Sequence, residues 1–220
     1  IDEAAEAERV AVNERARRES IWNAFIGNRE RYRGATVDAW NVGDDAHASK
    51  RRRAIDGVAD YLRSLADRKR LGEGAVFYGP VGTGKDMLAA IIARGVCFDL
   101  GEPVRHCNGA ELFAELRRAI DGVSSEAEVL AKYSCVPWLV LSDPVPPFGA
   151  ITDFQASALY RLMDARSARR KPTITTVNVA DSREGAEKIG APTWDRIRES
   201  AWVFECNWPS ERRPAKYFGD

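Results

Sequence analysis

The spacing of apolar residues changes character along this chain. From Asp2 to about Phe25 the sequence is dominated by Ala, Glu and Arg, and Val10, Ile21 and Phe25 are too sparse for a sustained heptad. This predicts an exposed helix, the tail of a larger element or a docking arm. The stretch from Gly34 to Ser49, with Gly43-Asp44-Asp45, reads as an irregular connector. A helix is predicted from about Ser49, with Ile55, Val58, Ala59, Leu62 and Leu65 on one face and Gly72-Glu73-Gly74 at its end. Beyond that point short apolar runs alternate with helical stretches. Strands are predicted at Ala75 to Tyr78, Pro103 to Cys107, Trp138 to Leu141, Thr173 to Val177 and Trp202 to Cys206. Helices are predicted at about 85 to 100, 109 to 120, 125 to 133, 153 to 170 and 192 to 198. The runs do not alternate inside with outside, as strands covered on both faces should not, so the pattern predicts a five-stranded parallel α/β sheet between helical layers.

The first of these strands opens the most informative segment. It is followed by Gly79-Pro80-Val81-Gly82-Thr83-Gly84-Lys85 and then by an amphipathic helix, the arrangement of a phosphate-binding P-loop. The glycines let successive N–H groups face one oxyanion, the helix N-terminus adds partial positive charge, and Lys85 neutralises terminal phosphates. The last position departs from the pattern: Asp86 stands where a magnesium-ligating Ser or Thr is usual.

Two later strands carry polar residues to the same sheet edge. The third ends in Ser142-Asp143, where a pair of acids would hold metal and polarise water, and the first of the two is here a serine. Set beside Asp86 this reads as an exchange, in which the loop gains the carboxylate that the strand has lost and the strand gains the hydroxyl. The metal ligands would then be Asp86, Ser142 and Asp143. The alternative is a degenerate site that binds nucleotide and hydrolyses it poorly. The fourth strand ends in Asn178, whose amide can hydrogen-bond an attacking water or a γ-phosphate.

Composition narrows the class. With 220 residues the chain has room for one large domain, or a domain plus a short appendage. Lys+Arg 33 against Asp+Glu 33 gives no net charge, so bulk electrostatics advertise neither nucleic acid nor membrane. Cys97, Cys107, Cys135 and Cys206 form no C-x-x-C pair, and His47 and His106 make no metal cluster; free thiols are expected. No run approaches the roughly 20 apolar residues of a membrane span, and the charged N-terminus is unlike a signal peptide. A cytoplasmic location is the expectation.

The ordered set GPVGTGKDMLAAII, LVLSD, MDARSARRKP before TITTVN, and WDRIRESAWVFECNWPSERR resembles the DnaC/IstB branch of AAA+ ATPases, most of all its helicase loaders, over about residues 30 to 215. The resemblance implies a P-loop NTPase core of three layers with no or a minimal C-terminal lid. It also implies an organisation of residues 1–30 as a helical appendage and 31–220 as the ATPase domain. Gly79, Pro80, Val81, Gly82, Thr83, Gly84, Lys85, Asp86 and Met87 would bind ATP or ADP with Mg²⁺. Asp143 would be the catalytic carboxylate, Asn178 sensor 1, Arg196 an arginine finger reaching a neighbouring subunit, and Arg212 the sensor 2 arginine. Glu211 departs from the usual aromatic. The implied partners are single-stranded DNA, a replicative helicase and further copies of the chain, with Arg105, Arg117, Arg118, Lys132, Phe113 and Tyr133 as candidate DNA contacts. The rival readings are an IstB-type transposition helper with a transposase as partner, a nucleotide-gated scaffold without turnover, and a small-molecule P-loop kinase.

Overall fold

A computed structural model describes residues 3–122, 125–146 and 149–212. Five strands, β1 (Gly74–Tyr78), β2 (Val104–Asn108), β3 (Trp138–Ser142), β4 (Thr173–Val177) and β5 (Ala201–Glu205), pair in parallel in the order β2, β3, β4, β1, β5. Each lies within one residue of its sequence expectation at either end. All five C-terminal ends share one edge, the usual place for a ligand in an open α/β sheet.

Successive side chains of the central strands β1, β3 and β4 enter different cores. Ala75, Phe77, Trp138 and Val140 face one layer with α1 (Glu3–Ile26), α2 (Ala48–Leu62), α3 (Leu65–Leu71) and α4 (Lys85–Gly95). Val76, Leu139, Leu141 and Val177 face the other, with α5 (Gly109–Ile120), α6 (Glu126–Ser134), α7 (Asp153–Ala168), α8 (Ser182–Ile189) and α9 (Ala191–Arg198). The architecture is therefore the expected three-layer α/β sandwich. The expectation about a C-terminal lid concerns residues beyond 212, outside the described ones.

Several elements differ from the sequence reading. The helix expected from Ser49 to Gly72 is two helices, because Ser64 leaves the helical region with φ −130°; serine competes locally for backbone hydrogen bonds. α4 widens after Gly95 into a π-helical turn, Val96–Leu100. α8 was not expected, although its N-terminal signal is present: Asp181 Oδ1 accepts from Glu184 N at 2.8 Å. α1 is exposed for most of its length, but its last turn buries Trp22, Phe25 and Ile26 in the first core.

Arg166, at the end of a basic run, is not on the surface. It is 1% exposed, with Nε donating to Thr173 Oγ1 (2.7 Å), Nη1 to the carbonyls of Tyr133 (2.8 Å) and Val136 (2.9 Å), and Nη2 to that of Pro172 (2.6 Å). Burial pushes its guanidinium down to about 9. One side chain thus ties α6, α7 and the start of β4 together. Arg166→Met strips four buried acceptors of their donor and is expected to destabilise the fold by roughly 3 kcal/mol, lowering the melting temperature by about 10 °C in a calorimetric scan.

Candidate functional site

After Tyr78 the chain leaves the sheet and turns into α4 through the glycine loop. Gly82 and Gly84 take φ of 85° and 84°, where any residue with a Cβ is strained. Space enforces the same choice: a Cβ on Gly82 would lie 2.0 Å from Ser210 Oγ, and one on Gly84 2.8 Å from the Trp40 ring. The loop's outer side is held by the segment after β5. Trp208 Nε1 donates to the Thr83 carbonyl at 3.0 Å, and Glu211 N to the Gly82 carbonyl at 2.8 Å. The peptides among the described residues are trans, so fixing those carbonyls outward turns the next two N–H groups, on Thr83 and Gly84, the opposite way. That is the arrangement of an anion nest at a helix N-terminus.

Lys85 is buried beneath the loop. Its Nζ donates to the carbonyls of Gly79 (2.9 Å) and Pro80 (2.6 Å) and lies 3.4 Å from Thr83 Oγ1. Burial pushes the ammonium group down from its ordinary range. Carbonyls satisfy its hydrogens without cancelling its charge, which suits a group that meets an anion.

Asp86 and Ser142 are in direct contact. Asp86 Oδ1 accepts from Ser142 Oγ at 2.9 Å and from Thr176 Oγ1 at 2.7 Å, and the two hydroxyls lie 3.3 Å apart. The insertion of β4 between β1 and β3 brings Thr176 into this triad. The residue after Ser142, Asp143, has φ 47°, a strained value for a residue with a side chain, and its N–H is held by the Thr176 carbonyl at 3.0 Å. Asn178 Nδ2 donates to Asp143 Oδ1 at 2.6 Å. Burial, and then the Asp86 carboxylate, push the Asp143 carboxyl up to about 6.

These groups converge on one cavity of about 220 Å³, lined by Arg31, Lys85, Asp86, Asp143, Asn178 and Arg212 among others, with Met87 on its wall. Ser142 sits behind Asp86, 4% exposed. Arg196 is elsewhere. It lines a hollow with Gly74, Thr173 and Ala201, the opposite ends of the strands, and its guanidinium is paired with Glu199 and with Asp164 at 3.0 Å. Tyr32, Arg31 and Thr176 were missed from sequence. Thr176 had a signal, since hydroxyls in a strand buried on both faces need acceptors.

The donor set fits a divalent cation. Asp86 and Asp143 both line the cavity and offer hard carboxylate oxygens, with the Ser142 hydroxyl behind Asp86. Burial first, and the neighbouring Asp86 charge second, raise the Asp143 carboxyl, a cost that a cation between the two acids would relieve. The sign of the pH dependence follows. A carboxyl raised from 3.8 to about 6 contributes stability that is full below its ordinary value and lost as pH rises through the folded value. In nucleotide-free thermal melts, Asp143→Asn should therefore gain on the wild type between about pH 4 and 7. A gap that stays constant across that range would refute this account of the site.

A second cavity, of about 750 Å³, lies between α5 and α8 and shares Val81, Asp143 and Asn178 with the first. Of the candidate DNA contacts, Arg105, Arg117 and Arg118 are exposed, and Arg117 lines this second cavity. Lys132 is paired with Glu115 at 2.7 Å. Phe113 and Tyr133 are 8% and 3% exposed, so both belong to the core and offer no face for a base to stack on. Among the described residues no cluster of His, Cys, Asp and Glu has the makings of a metal centre of three or more such ligands, the four cysteines are free, and no helix is long and apolar enough to cross a membrane.

No family model and no curated protein matches the chain by sequence. Its fold matches those of solved replication proteins. The crystal structure of the DnaC helicase loader aligns at TM-score 0.67 and 21% identity over 80% of this chain and 98% of that one. DnaI aligns at 0.60 and 22% over 81% and 91%. The replication initiator DnaA, bound to AMPPCP and single-stranded DNA, aligns at 0.59 and 19% over 78% of this chain and 49% of its own. The shared fold is an α/β P-loop NTPase-like sandwich around a five-stranded parallel sheet.

Proposed function

We propose that this chain is an ATP-binding AAA+ protein that assembles on single-stranded DNA and helps load a replicative helicase during DNA replication. The observation that carries the reading is the convergence of Lys85, Asp143, Asn178 and Arg212 on one cavity at the mouth of a glycine loop. The loop's N–H groups and Lys85 take the phosphates. Asp86 and Asp143, with the Ser142 hydroxyl behind Asp86, would hold Mg²⁺, which when bound would supply charge neutralisation at the phosphates. Asp143 in its ionised form accepts a proton from water, and the Asn178 amide fixes the carboxylate that does so. Arg212, which lines the same cavity, would add positive charge at the terminal phosphate. The loader role is supported by the fold shared with DnaC and DnaI.

One observation favours a second reading, a nucleotide-gated scaffold with little turnover: Asp86 Oδ1 is already satisfied by two hydroxyls. Size-exclusion chromatography in ATP plus a single-stranded oligonucleotide, against ADP alone, tests the assembly. Growth of the particle only in the first condition is expected; the same size in both would refute loading by assembly. Phosphate release in the same samples separates turnover from gating. An Arg196→Ala subunit mixed with a Lys85→Ala subunit should recover part of the activity that each lacks alone, as sites shared between chains require.

A further inference from the structure

Arg51 lies on α2, far in sequence from the loop, yet it is 4% exposed and spends every arm of its guanidinium. Nη1 and Nη2 grip Asp45 at 2.8 Å each, Nη1 also donates to the Val42 carbonyl at 3.0 Å, and Nε donates to Glu211 Oε1 at 2.7 Å. Next to it, Lys50 Nζ donates to the Asn207 carbonyl at 3.1 Å. The first turn of α2 therefore grips the segment after β5 at two points. On its other side that segment is bonded to the loop through Trp208 and Glu211 N.

The residue after Glu211 is Arg212. Its side chain is exposed, it forms no ion pair among the described residues, and its backbone N donates to Ser210 Oγ at 3.2 Å. Arg212 lines the cavity at the glycine loop, and its charge acts on both Lys85 and Asp143 there. We propose that Arg51 and Glu211 are positioning residues for the nucleotide site, acting through Arg212: the ion pair fixes the 211 side chain, and this fixes the direction in which 212 leaves. The inference rests on the nucleotide reading given above. The geometry explains why position 51 is arginine, since only a planar fork serves Asp45 bidentately and Glu211 with a third N–H; a lysine is a point charge and cannot. It also gives a role to Glu211, which stands where the resemblance led us to expect an aromatic.

The test is titration of the full chain with fluorescent ATP and ADP analogues. The variants are Glu211→Ala, Arg51→Met, Arg212→Ala and the double variant Arg51→Met/Arg212→Ala, with melting temperatures alongside. Glu211→Ala leaves the Arg51–Asp45 pair and the backbone bond to Gly82 in place, so it should fold as the wild type does even if Arg51→Met does not. Arg212→Ala, Glu211→Ala and Arg51→Met should each weaken ATP by about tenfold, the size of one charge-assisted hydrogen bond. ADP should change by less than about threefold, a ratio that mere loosening of the fold would not produce. In the double variant the loss should equal that of Arg212→Ala alone. Unchanged ATP affinity in Glu211→Ala beside a loss in Arg212→Ala would overturn the proposal and leave the nucleotide site standing, as would additive losses in the double variant. Absence of binding by the wild type would instead overturn the nucleotide reading and the proposal with it.

Discussion

Asp143→Asn is expected to lower ATP turnover by about 10³-fold, within the usual contribution of a positioned proton acceptor, while nucleotide affinity changes little. The carboxylate stands beside Lys85 and Asp86 at the mouth of the loop, fixed by the Asn178 amide at 2.6 Å and by its own strained backbone. An amide of the same shape retains the position and cannot accept a proton. Removing a negative charge from the edge of a phosphate site favours the anion, and the asparagine oxygen still offers the metal a ligand, so the gain and the weakened metal contact offset each other. Phosphate release at saturating ATP, with equilibrium titration of the same variant, separates the two effects. Turnover within tenfold of wild type would remove Asp143 from its proposed role.

The second large effect concerns the exchanged pair. Ser142→Asp places a carboxylate where a hydroxyl now donates to Asp86 at 2.9 Å, in a position almost without solvent. Two acids at that distance cannot both ionise, and the lost hydrogen bond with the repulsion should cost about 3 kcal/mol of stability in the nucleotide-free protein. Asp86→Ser alone removes the loop's carboxylate and should weaken Mg²⁺-dependent ATP binding by about 30-fold, the loss of one charged ligand contact. The double variant Asp86→Ser/Ser142→Asp restores one acid and one hydroxyl in contact. It should recover most of both losses, with a coupling of about 2 kcal/mol. Additive losses in the double variant, or equal ATP affinity of the wild type with and without Mg²⁺, would show that the two positions do not form one metal site.

The strands and the loop were legible because each is announced locally, by an apolar run or by glycines at fixed spacing. Asp86 and Ser142 were legible as a pair because each departs from its pattern in the way the other compensates. Their partner Thr176 was not, since it meets Asp86 across 90 positions of sequence through a strand order that no local pattern encodes. The same reason hid Arg51 and Glu211, whose contact spans 160 positions. Arg166 is one of several charges in the stretch MDARSARRKP, and only the tertiary structure shows the four oxygens that its guanidinium serves. Phe113 and Tyr133 were both candidate stacking surfaces, with Phe113 already favoured for the core by Leu112 and Leu116 at helical spacing, and packing places both in the core. The break at Ser64 and helix α8 escaped because short elements are set by caps of one or two residues, beneath the resolution of periodicity.

The cavity at the glycine loop opens at one edge of the sheet and Arg196 lies at the other. If that arginine completes a neighbour's cavity, two copies can meet only front to back, and no twofold axis can relate them. Such a contact either closes into a ring or continues as a spiral with a leading and a trailing end. In the spiral one terminal subunit always holds nucleotide without a neighbour to finish its site. Output per subunit would then climb with the length of the string, and the idle end would be the natural place for a different protein to dock.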